Sequence, residues 1–148
     1  LLERLPMTAD LVFVDTNVLL YAHDRTAGRK RAVASELLER LWGTRAGALS
    51  TQVLQEFYIN ATRKLPRPLP ASRARAVIDR YATWRVHLIE PEDITAASEL
   101  EKRYRQSFWD ALVIVSAARI GASTLATEDM QHGRRIAGLR IVDPFRSS

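Results

Sequence analysis

Short apolar runs alternate with longer amphipathic stretches along this chain. The first run, Leu11–Asp15, is rich in β-branched residues and is typical of a buried strand that ends in a carboxylate. Four further short runs predict strands at Gly47–Ser50, Val86–Ile89, Thr124–Ala126 and Leu139–Val142.

Apolar residues at helical spacing predict the elements between these strands. A short helix should follow the first strand through Asn17–Ala22, and a longer one should begin at Gly28 and end at Gly43. Further helices are expected from Thr51 to the Pro66–Pro70 run, over Ala71–Trp84, from Pro91 into Glu101–Arg105, and over Phe108–Ile120. The last of these is apolar nearly all round, which predicts a buried central helix ended by Gly121.

The alternation of strands with helices predicts an α/β fold with a parallel sheet covered on both faces. In such sheets the functional crevice lies at the carboxyl ends of the strands. Because there is no internal repeat, linker or low-complexity tract, residues 1–148 are expected to form a single domain.

Composition excludes several classes of protein. The 148 residues are 47% hydrophobic, and a chain of this length can bury a core without covalent support. The absence of cysteine excludes disulfide scaffolds, thiolate zinc sites, Fe–S clusters and cysteine nucleophiles. No apolar run approaches the roughly 20 residues of a membrane helix. The segment Leu1–Met7 lacks the apolar core of a signal peptide, which favours the cytoplasm.

The chain is basic, with 22 Lys and Arg against 17 Asp and Glu and a net charge of +5. Only 3 of the 22 cations are lysines. Arginine favours planar, forked contacts, so a phosphate-bearing partner is plausible. Arginines on helices also form ordinary solvated faces, and composition leaves both interpretations open.

Four acidic residues stand beside apolar segments. Asp15 ends the first strand and Asp129 follows the strand at Thr124–Ala126, so each is equally suited to the start of a helix. Glu56 flanks an apolar helix face, and alone it would be a solvated helix residue. Asp110 lies three residues after Ser107 and is suited to a capping pair, yet apolar residues surround it.

The four acids indicate a functional site more strongly together than any one of them does alone. Two follow strands and two lie on helices, so all four are expected to converge at one end of the sheet. Like charges held that close repel, and a cation would neutralise them. Ligands that are all oxygen suit Mg²⁺ or Mn²⁺, whereas the three histidines have no zinc-ligand spacing to one another.

Four motifs occur in order along the chain: VDTNVLLYA at Val14–Ala22, LQEFY at Leu54–Tyr58, FWDAL at Phe108–Leu112, and TED at Thr127–Asp129. Each motif alone is weak, but the ordered set is specific. The set strongly resembles the PIN-domain family, and its VapC-type toxins most closely, over nearly the whole chain from about Leu11 to Pro144.

The resemblance implies a three-layer α/β/α PIN-like fold around a short, mainly parallel central sheet. It implies an Mg²⁺- or Mn²⁺-dependent endoribonuclease, the toxin of a type II toxin–antitoxin pair, that leaves a 5′-phosphate and a 3′-hydroxyl. It also implies a homodimer and a cognate antitoxin in the active-site groove. The family's catalytic and metal-binding quartet falls on Asp15, Glu56, Asp110 and Asp129, with supporting side chains at Thr16, Asn17 and Thr127. The family's first strand normally follows soon after the initiator, so Leu1–Pro6 would be an extension or a cloning remnant.

The RNA backbone would be held by basic side chains. The candidates are Arg29, Lys30, Arg31, Arg63, Lys64 and Arg67, with Arg25, Arg73 and Arg75 beside them. Bases of single-stranded RNA are normally read by stacking on aromatic or Arg planes. Trp84 and Trp109 are expected in the core rather than as stacking platforms, because tryptophan is usually well buried.

Two other classes of function remain open. A metal-dependent phosphohydrolase of small molecules would also place Asp after the first strand, but its aspartyl-phosphate type has a second Asp where Asn17 stands. A non-catalytic RNA-binding or interaction module would keep the basic residues without needing four acids. Separation of the acids in space would favour that module.

Overall fold

The structure, a computed structural model, describes residues 10–146. Within them the strands are β1 (Val12–Val14), β2 (Gly47–Ser50), β3 (Arg85–His87), β4 (Thr124–Ala126), β5 (Arg135–Ile136) and β6 (Leu139–Val142). The helices are α1 (Thr16–Ala22), α2 (Arg29–Thr44), α3 (Thr51–Arg63), α4 (Ala71–Tyr81), α5 (Pro91–Tyr104) and α6 (Phe108–Arg119).

The strands form one sheet in the order β3-β2-β1-β4-β6-β5. All neighbouring pairs are parallel except β5 and β6, which form an antiparallel edge. The chain builds outward from β1 through β2 and β3, and then returns to the other side of β1 with β4. The crevice between β1 and β4 is therefore the point where the strand order reverses, the usual place for a functional site.

Two groups of helices pack on this sheet and confirm the predicted three-layer α/β/α fold. Helices α1 to α4 pack against one another, and α2 and α3 contact β2. Helix α6 contacts β2, β3, β4 and β6, and α5 packs on α6. The segment Ala111–Ala117 is buried throughout, as predicted for a central helix. The main core lies between the layers, with Phe13, Phe57 and Ile114 fully buried.

Several predicted boundaries were wrong. Gly43 does not end α2, which continues to Thr44 and ends where Arg45 takes the left-handed conformation with φ 58°. Helix α4 ends at Tyr81 rather than at Trp84, and the Thr83 hydroxyl caps it by donating to the carbonyl of Arg80 at 2.7 Å.

The two strands at the edges of the sheet also departed from expectation. The predicted strand Val86–Ile89 is shorter, because the backbone N–H of Ile89 leaves the sheet and donates to the Thr51 hydroxyl at 3.2 Å. Strand β5 was missed. It pairs with β6 across a two-residue turn in which Ala137 and Gly138 both have positive φ, and Ala-Gly is a weaker hairpin signal than Asn-Gly.

The expectation that Leu1–Pro6 forms an extension concerns residues outside the described range. No helix within residues 10–146 combines the length and the apolar character that crossing a membrane requires.

Candidate active site

Asp15 is the first residue after β1 and the N-cap of α1. Its backbone N–H donates to the Ala126 carbonyl at 3.0 Å, which aligns the end of β1 with the end of β4. Its carboxylate Oδ1 accepts from the Thr16 backbone N–H, and Oδ2 accepts from the Thr127 hydroxyl, both at 2.7 Å. The side chain is only 4% exposed. The helix-capping and active-site interpretations of Asp15 are therefore both compatible with its position.

Glu56 and Asp129 are held by the residues that follow Asp15. The Thr16 hydroxyl donates to Glu56 Oε1 at 2.7 Å, and Asn17 Nδ2 donates to Asp129 Oδ2 at 3.0 Å. Asp129 is fixed a second time, because its backbone N–H donates to the Thr127 hydroxyl at 3.1 Å. Thus the hydroxyl and amide side chains next to Asp15 orient acids that are more than 35 residues away along the chain.

Asp110 comes from the other helical layer. It lies in the first turn of α6, where its backbone N–H donates to the capping Ser107 hydroxyl oxygen at 3.0 Å. Its side chain is half-buried. Ser107 therefore caps α6 as predicted, and the Asp110 carboxylate lies at the start of a helix, where the dipole favours negative charge.

One cleft of about 300 Å³ collects all four acids. Its lining consists of Asp15, Thr16, Asn17, Leu20, Gln52, Glu56, Asn60, Trp109, Asp110, Val113 and Asp129. The cleft lies at the carboxyl ends of β1 and β4, where strand order reverses. The third supporting residue, Thr127, is fully buried beneath it.

The acids in this cleft are electrostatically unbalanced. Burial raises the pKa of Asp15 to about 7, and the charges of Asp129 and Glu56 add to the effect against the opposing bonds from Thr127 and Thr16. Burial also raises the pKa of Asp110, again with Asp129 and Glu56 adding to it. The cleft therefore holds more negative charge than the protein alone stabilises.

No group of three or more histidine or acidic side chains within residues 10–146 is arranged as a ready metal cage. The side chains of Asp15 and Glu56 are turned toward threonine hydroxyls instead. The ionisable groups that line the cleft are all carboxylates, the hard oxygen donors that Mg²⁺ and Mn²⁺ prefer.

The structure adds Gln52, which sequence reasoning missed. This residue is 4% exposed, and its Nε2 donates to Glu56 Oε2 and to the Trp109 carbonyl, both at 3.2 Å. Its Oε1 has no hydrogen-bond partner among the described residues. The available signal was spacing, because Gln52 precedes Glu56 by one helical turn and residues four apart share a helix face.

The prediction for Trp109 was wrong. It was expected in the core, but 61% of it is exposed at the edge of the cleft. The buried part of α6 begins only at Ala111, and the first turn extends beyond the packed layers. Trp84, in contrast, does pack against the core, beside Trp42 and Tyr81.

The predicted RNA-binding residues differ in their surroundings. Lys30 forms an ion pair with Glu128 at 2.6 Å, and Arg29 donates to the Phe145 carbonyl at 2.9 Å, so both tie α2 to later segments. The other four, Arg31, Arg63, Lys64 and Arg67, are exposed.

Solved structures of toxins and toxin–antitoxin complexes share this fold. VapC20 of Mycobacterium tuberculosis, described as a toxin that cleaves the sarcin–ricin loop, is 24% identical with a TM-score of 0.61, over 77% of this chain and 86% of that one. A toxin–antitoxin complex from Klebsiella pneumoniae is 20% identical with a TM-score of 0.64, over 90% and 97% of the two chains.

VapBC2 from Rickettsia felis, bound to a DNA fragment from its promoter, is 18% identical with a TM-score of 0.62, over 88% of this chain and 96% of that one. A search of curated proteins finds no match. The family model of the PIN domain matches residues 12–138, a range that includes all four acids. This chain therefore belongs to the PIN-domain family.

Proposed function

We propose that this chain is an Mg²⁺- or Mn²⁺-dependent endoribonuclease and the toxin of a VapBC-like type II toxin–antitoxin pair. The observation that carries the proposal is the collection of Asp15, Glu56, Asp110 and Asp129 in one cleft at the carboxyl edge of the sheet. A structural role alone would not favour four carboxylates in one place, because their repulsion destabilises the fold.

A divalent ion fits the chemistry of this cleft. Burial and neighbouring charges oppose ionisation of Asp15, and a cation would remove that opposition. Mg²⁺ usually keeps several waters and takes only one or two carboxylates, so it does not need a ready cage of three protein ligands. Asp15 and Asp110 would hold the ion directly, with Glu56 and Asp129 holding its waters or a second ion. When bound, the ion would supply an activated water and neutralise charge on the phosphate.

The other side chains orient these acids. The hydroxyls of Thr127 and Thr16 donate to Asp15 and Glu56, and each bond fixes the direction of its carboxylate. Gln52 holds the second oxygen of Glu56. Together these bonds limit rotation of the acids, which is what positioning an attacking water requires.

Cleavage would be hydrolytic and leave a 5′-phosphate and a 3′-hydroxyl, as the resemblance implies. The small-molecule phosphohydrolase is disfavoured by Asn17, because that residue donates to Asp129 rather than supplying a second acid beside Asp15. The convergence of the acids counts against a non-catalytic module. Exposed Arg31, Arg63, Lys64 and Arg67 would hold the RNA backbone.

The proposed setting is a cytoplasmic homodimer whose active-site groove is closed by an antitoxin. The similar structure from Klebsiella pneumoniae is a toxin–antitoxin complex by its own description, which supports a protein partner of this kind.

The proposal is tested by RNA cleavage with purified protein in EDTA, Mg²⁺ or Mn²⁺. We expect cleavage only with a divalent ion, products with a 5′-phosphate, and a loss of about 100-fold or more in Asp110→Asn. The matched control is Asp79→Asn, the same change on the exposed face of α4. Cleavage in EDTA, or wild-type rates in Asp110→Asn, would contradict the assigned chemistry.

A further inference from the structure

A second, smaller pocket lies at the far end of α1 from the acids. It has a volume of about 150 Å³ and is lined by His23, Arg25, Arg67, Pro68, Leu69, Pro70 and Arg73. The three arginines come from three separate segments: the turn after α1, the loop between α3 and α4, and the first turn of α4. The fold therefore brings together three cations that the sequence keeps apart.

No described carboxylate balances these arginines. Within residues 10–146 the ion pairs join Lys30 to Glu128, and His87 and Arg119 to Asp93. The neighbouring acid Asp24 forms none of these ion pairs, and its Oδ1 accepts instead from the backbone N–H and the hydroxyl of Thr26 at 2.9 and 2.6 Å.

The pocket is consequently a region of positive potential. Burial lowers the pKa of His23 on its wall, and the charges of Arg80, Arg73 and Arg31 lower it further. His23 also packs edge-on against Phe57, so the imidazole contributes a neutral wall rather than a fourth cation. Clustered cations of this kind repel unless an anion joins them.

The loop that carries Arg67 is rigid. Three prolines, Pro66, Pro68 and Pro70, fix its φ angles, and the backbone N–H of Leu69 donates to the Ala61 carbonyl at 2.9 Å. A binding group held on a stiff loop loses less entropy when its ligand arrives. The backbone position of Arg67 is thus restricted, although its side chain is exposed.

A groove connects this end of the molecule to the acidic cleft. It is lined by Asn17, Leu20, Tyr21, Asp24, Asn60, Lys64 and Leu65, of which Asn17, Leu20 and Asn60 also line the cleft. Along α1 and α3, His23 follows Asp15 by eight positions, and Lys64 follows Glu56 by eight positions. At 1.5 Å per residue the two sites lie roughly 12 Å apart along the helices.

We infer that the pocket of Arg25, Arg67 and Arg73 binds a backbone phosphate of single-stranded RNA, about two to four nucleotides from the acidic cleft. Forked guanidinium groups match phosphate oxygens, and Lys64 in the connecting groove extends the same basic path. The identity of the ligand as RNA rests on the proposed function, whereas the unbalanced arginine pocket is a property of the structure.

The test is RNA binding in the Asp110→Asn background in EDTA, so that cleavage does not interfere. The probe is a fluorescein-labelled single-stranded RNA of about 12 nucleotides, followed by anisotropy between roughly 50 and 300 mM salt. The test variant is Arg67→Ala/Arg73→Ala. Its matched control, Arg135→Ala/Arg140→Ala, removes the same charge from exposed arginines of β5 and β6, at the amino end of the parallel strands.

We expect the log–log salt slope of the test variant to flatten by about 0.7 for each lost phosphate contact, and its Kd to rise about 5-fold per contact near 0.1 M salt. The control pair should keep the wild-type slope. Lengthening the RNA from two to about eight nucleotides should increase affinity, and the test variant should lose much of that gain. Thermal unfolding checks that each variant is folded. If the alanine pair does not fold, Arg67→Lys/Arg73→Lys replaces it, because this pair keeps both charges but lacks the forked guanidinium groups.

Equal losses in the test and control pairs would overturn the proposal, because they would reflect net charge alone. An unchanged RNA affinity would also overturn it, and if antitoxin binding fell instead, the pocket would belong to an acidic protein segment. Since binding is measured without cleavage, a failure of the nuclease assay leaves this test intact.

Discussion

The Asp15 side chain has three roles in the structure. It caps α1, it accepts from the Thr127 hydroxyl, and it sits near two other acids while almost fully buried. Capping and hydrogen bonding favour the ionised form, but burial outweighs them and raises its pKa to about 7. This arrangement should lower the free energy of unfolding, which can be measured.

Asp15→Asn should stabilise the metal-free protein at neutral pH. The unfolded chain ionises Asp15 near pH 4, whereas the folded chain keeps it protonated up to about pH 7, so the free energy of unfolding of the wild type falls between those values. The neutral amide removes that fall, which amounts to at most about 4 kcal/mol. The observed gain should lie below this bound, because the Thr127 hydroxyl already accepts from the Asp129 N–H and can no longer donate to an amide nitrogen placed at Oδ2.

Urea unfolding in EDTA from pH 4 to pH 8 measures this effect. The difference between Asp15→Asn and wild type should be small near pH 4 and largest above pH 7. Asp79→Asn, exposed on α4, should follow the wild-type curve. A destabilised Asp15→Asn at pH 8 would mean that the carboxylate is required for capping more than it is opposed by its surroundings.

The end of α2 and the start of β2 show how packing overrides local signals. Gly43 lies in the last turn of α2, and a Cβ added there would meet nothing within 4 Å. Gly47 opens β2, and a Cβ there would come within 2.4 Å of the Trp84 ring. Trp42 and Tyr81 pack against that ring, with centroids at 5.2 and 4.9 Å. The glycine needed for close contact is therefore Gly47.

Alanine at these two positions should have opposite effects. Gly47→Ala should destabilise the fold by about 1–3 kcal/mol, because Trp84 has to move within a packed aromatic cluster. Gly43→Ala should stabilise it by about 0.5–1 kcal/mol, since the backbone is helical and the site is open. Each variant is the control for the other in urea unfolding. Equal effects would show that Trp84 does not pack on Gly47.

On the scale of the whole molecule, the acidic cleft and the arginine pocket lie about one helix length apart, near the two ends of α1. The acids lie at the carboxyl ends of β1 and β4, and the arginine pocket lies at the other end of α1. Carboxylates and arginines thus lie in separate pockets near opposite ends of α1. Trp109, which is 61% exposed at the edge of the cleft, adds apolar surface to the cleft.

Co-expression with the product of the adjacent upstream reading frame should yield a complex without RNase activity. An Arg or Lys of the antitoxin would pair with the acids, and an antitoxin helix would cover apolar surface. Size-exclusion chromatography with light scattering should show two copies of each chain. If nothing co-purifies, and cells tolerate this chain alone at high level while the purified protein cuts RNA, then it is a nuclease but not a toxin.

Much of this molecule could be predicted from the sequence because the signals are local. Short apolar runs predict buried strands, and the bounds of β2, β4 and β6 matched the prediction. Parallel topology then follows from alternation with helices, and it places Asp15 and Asp129 at the same edge. The four acids were singled out by their position beside apolar segments, and their catalytic role came from the resemblance, since no spacing rule joins Glu56 to Asp15.

Other features were decided only by the tertiary structure, because they depend on contacts between distant segments. Burial of a tryptophan depends on what covers it, and nothing covers the first turn of α6 at Trp109. Lys30 and Arg67 each add one positive charge to the composition, yet Lys30 is paired with Glu128 whereas Arg67 lines the arginine pocket. A sequence sets each residue's charge and propensity, but its partner is chosen by how the chain packs.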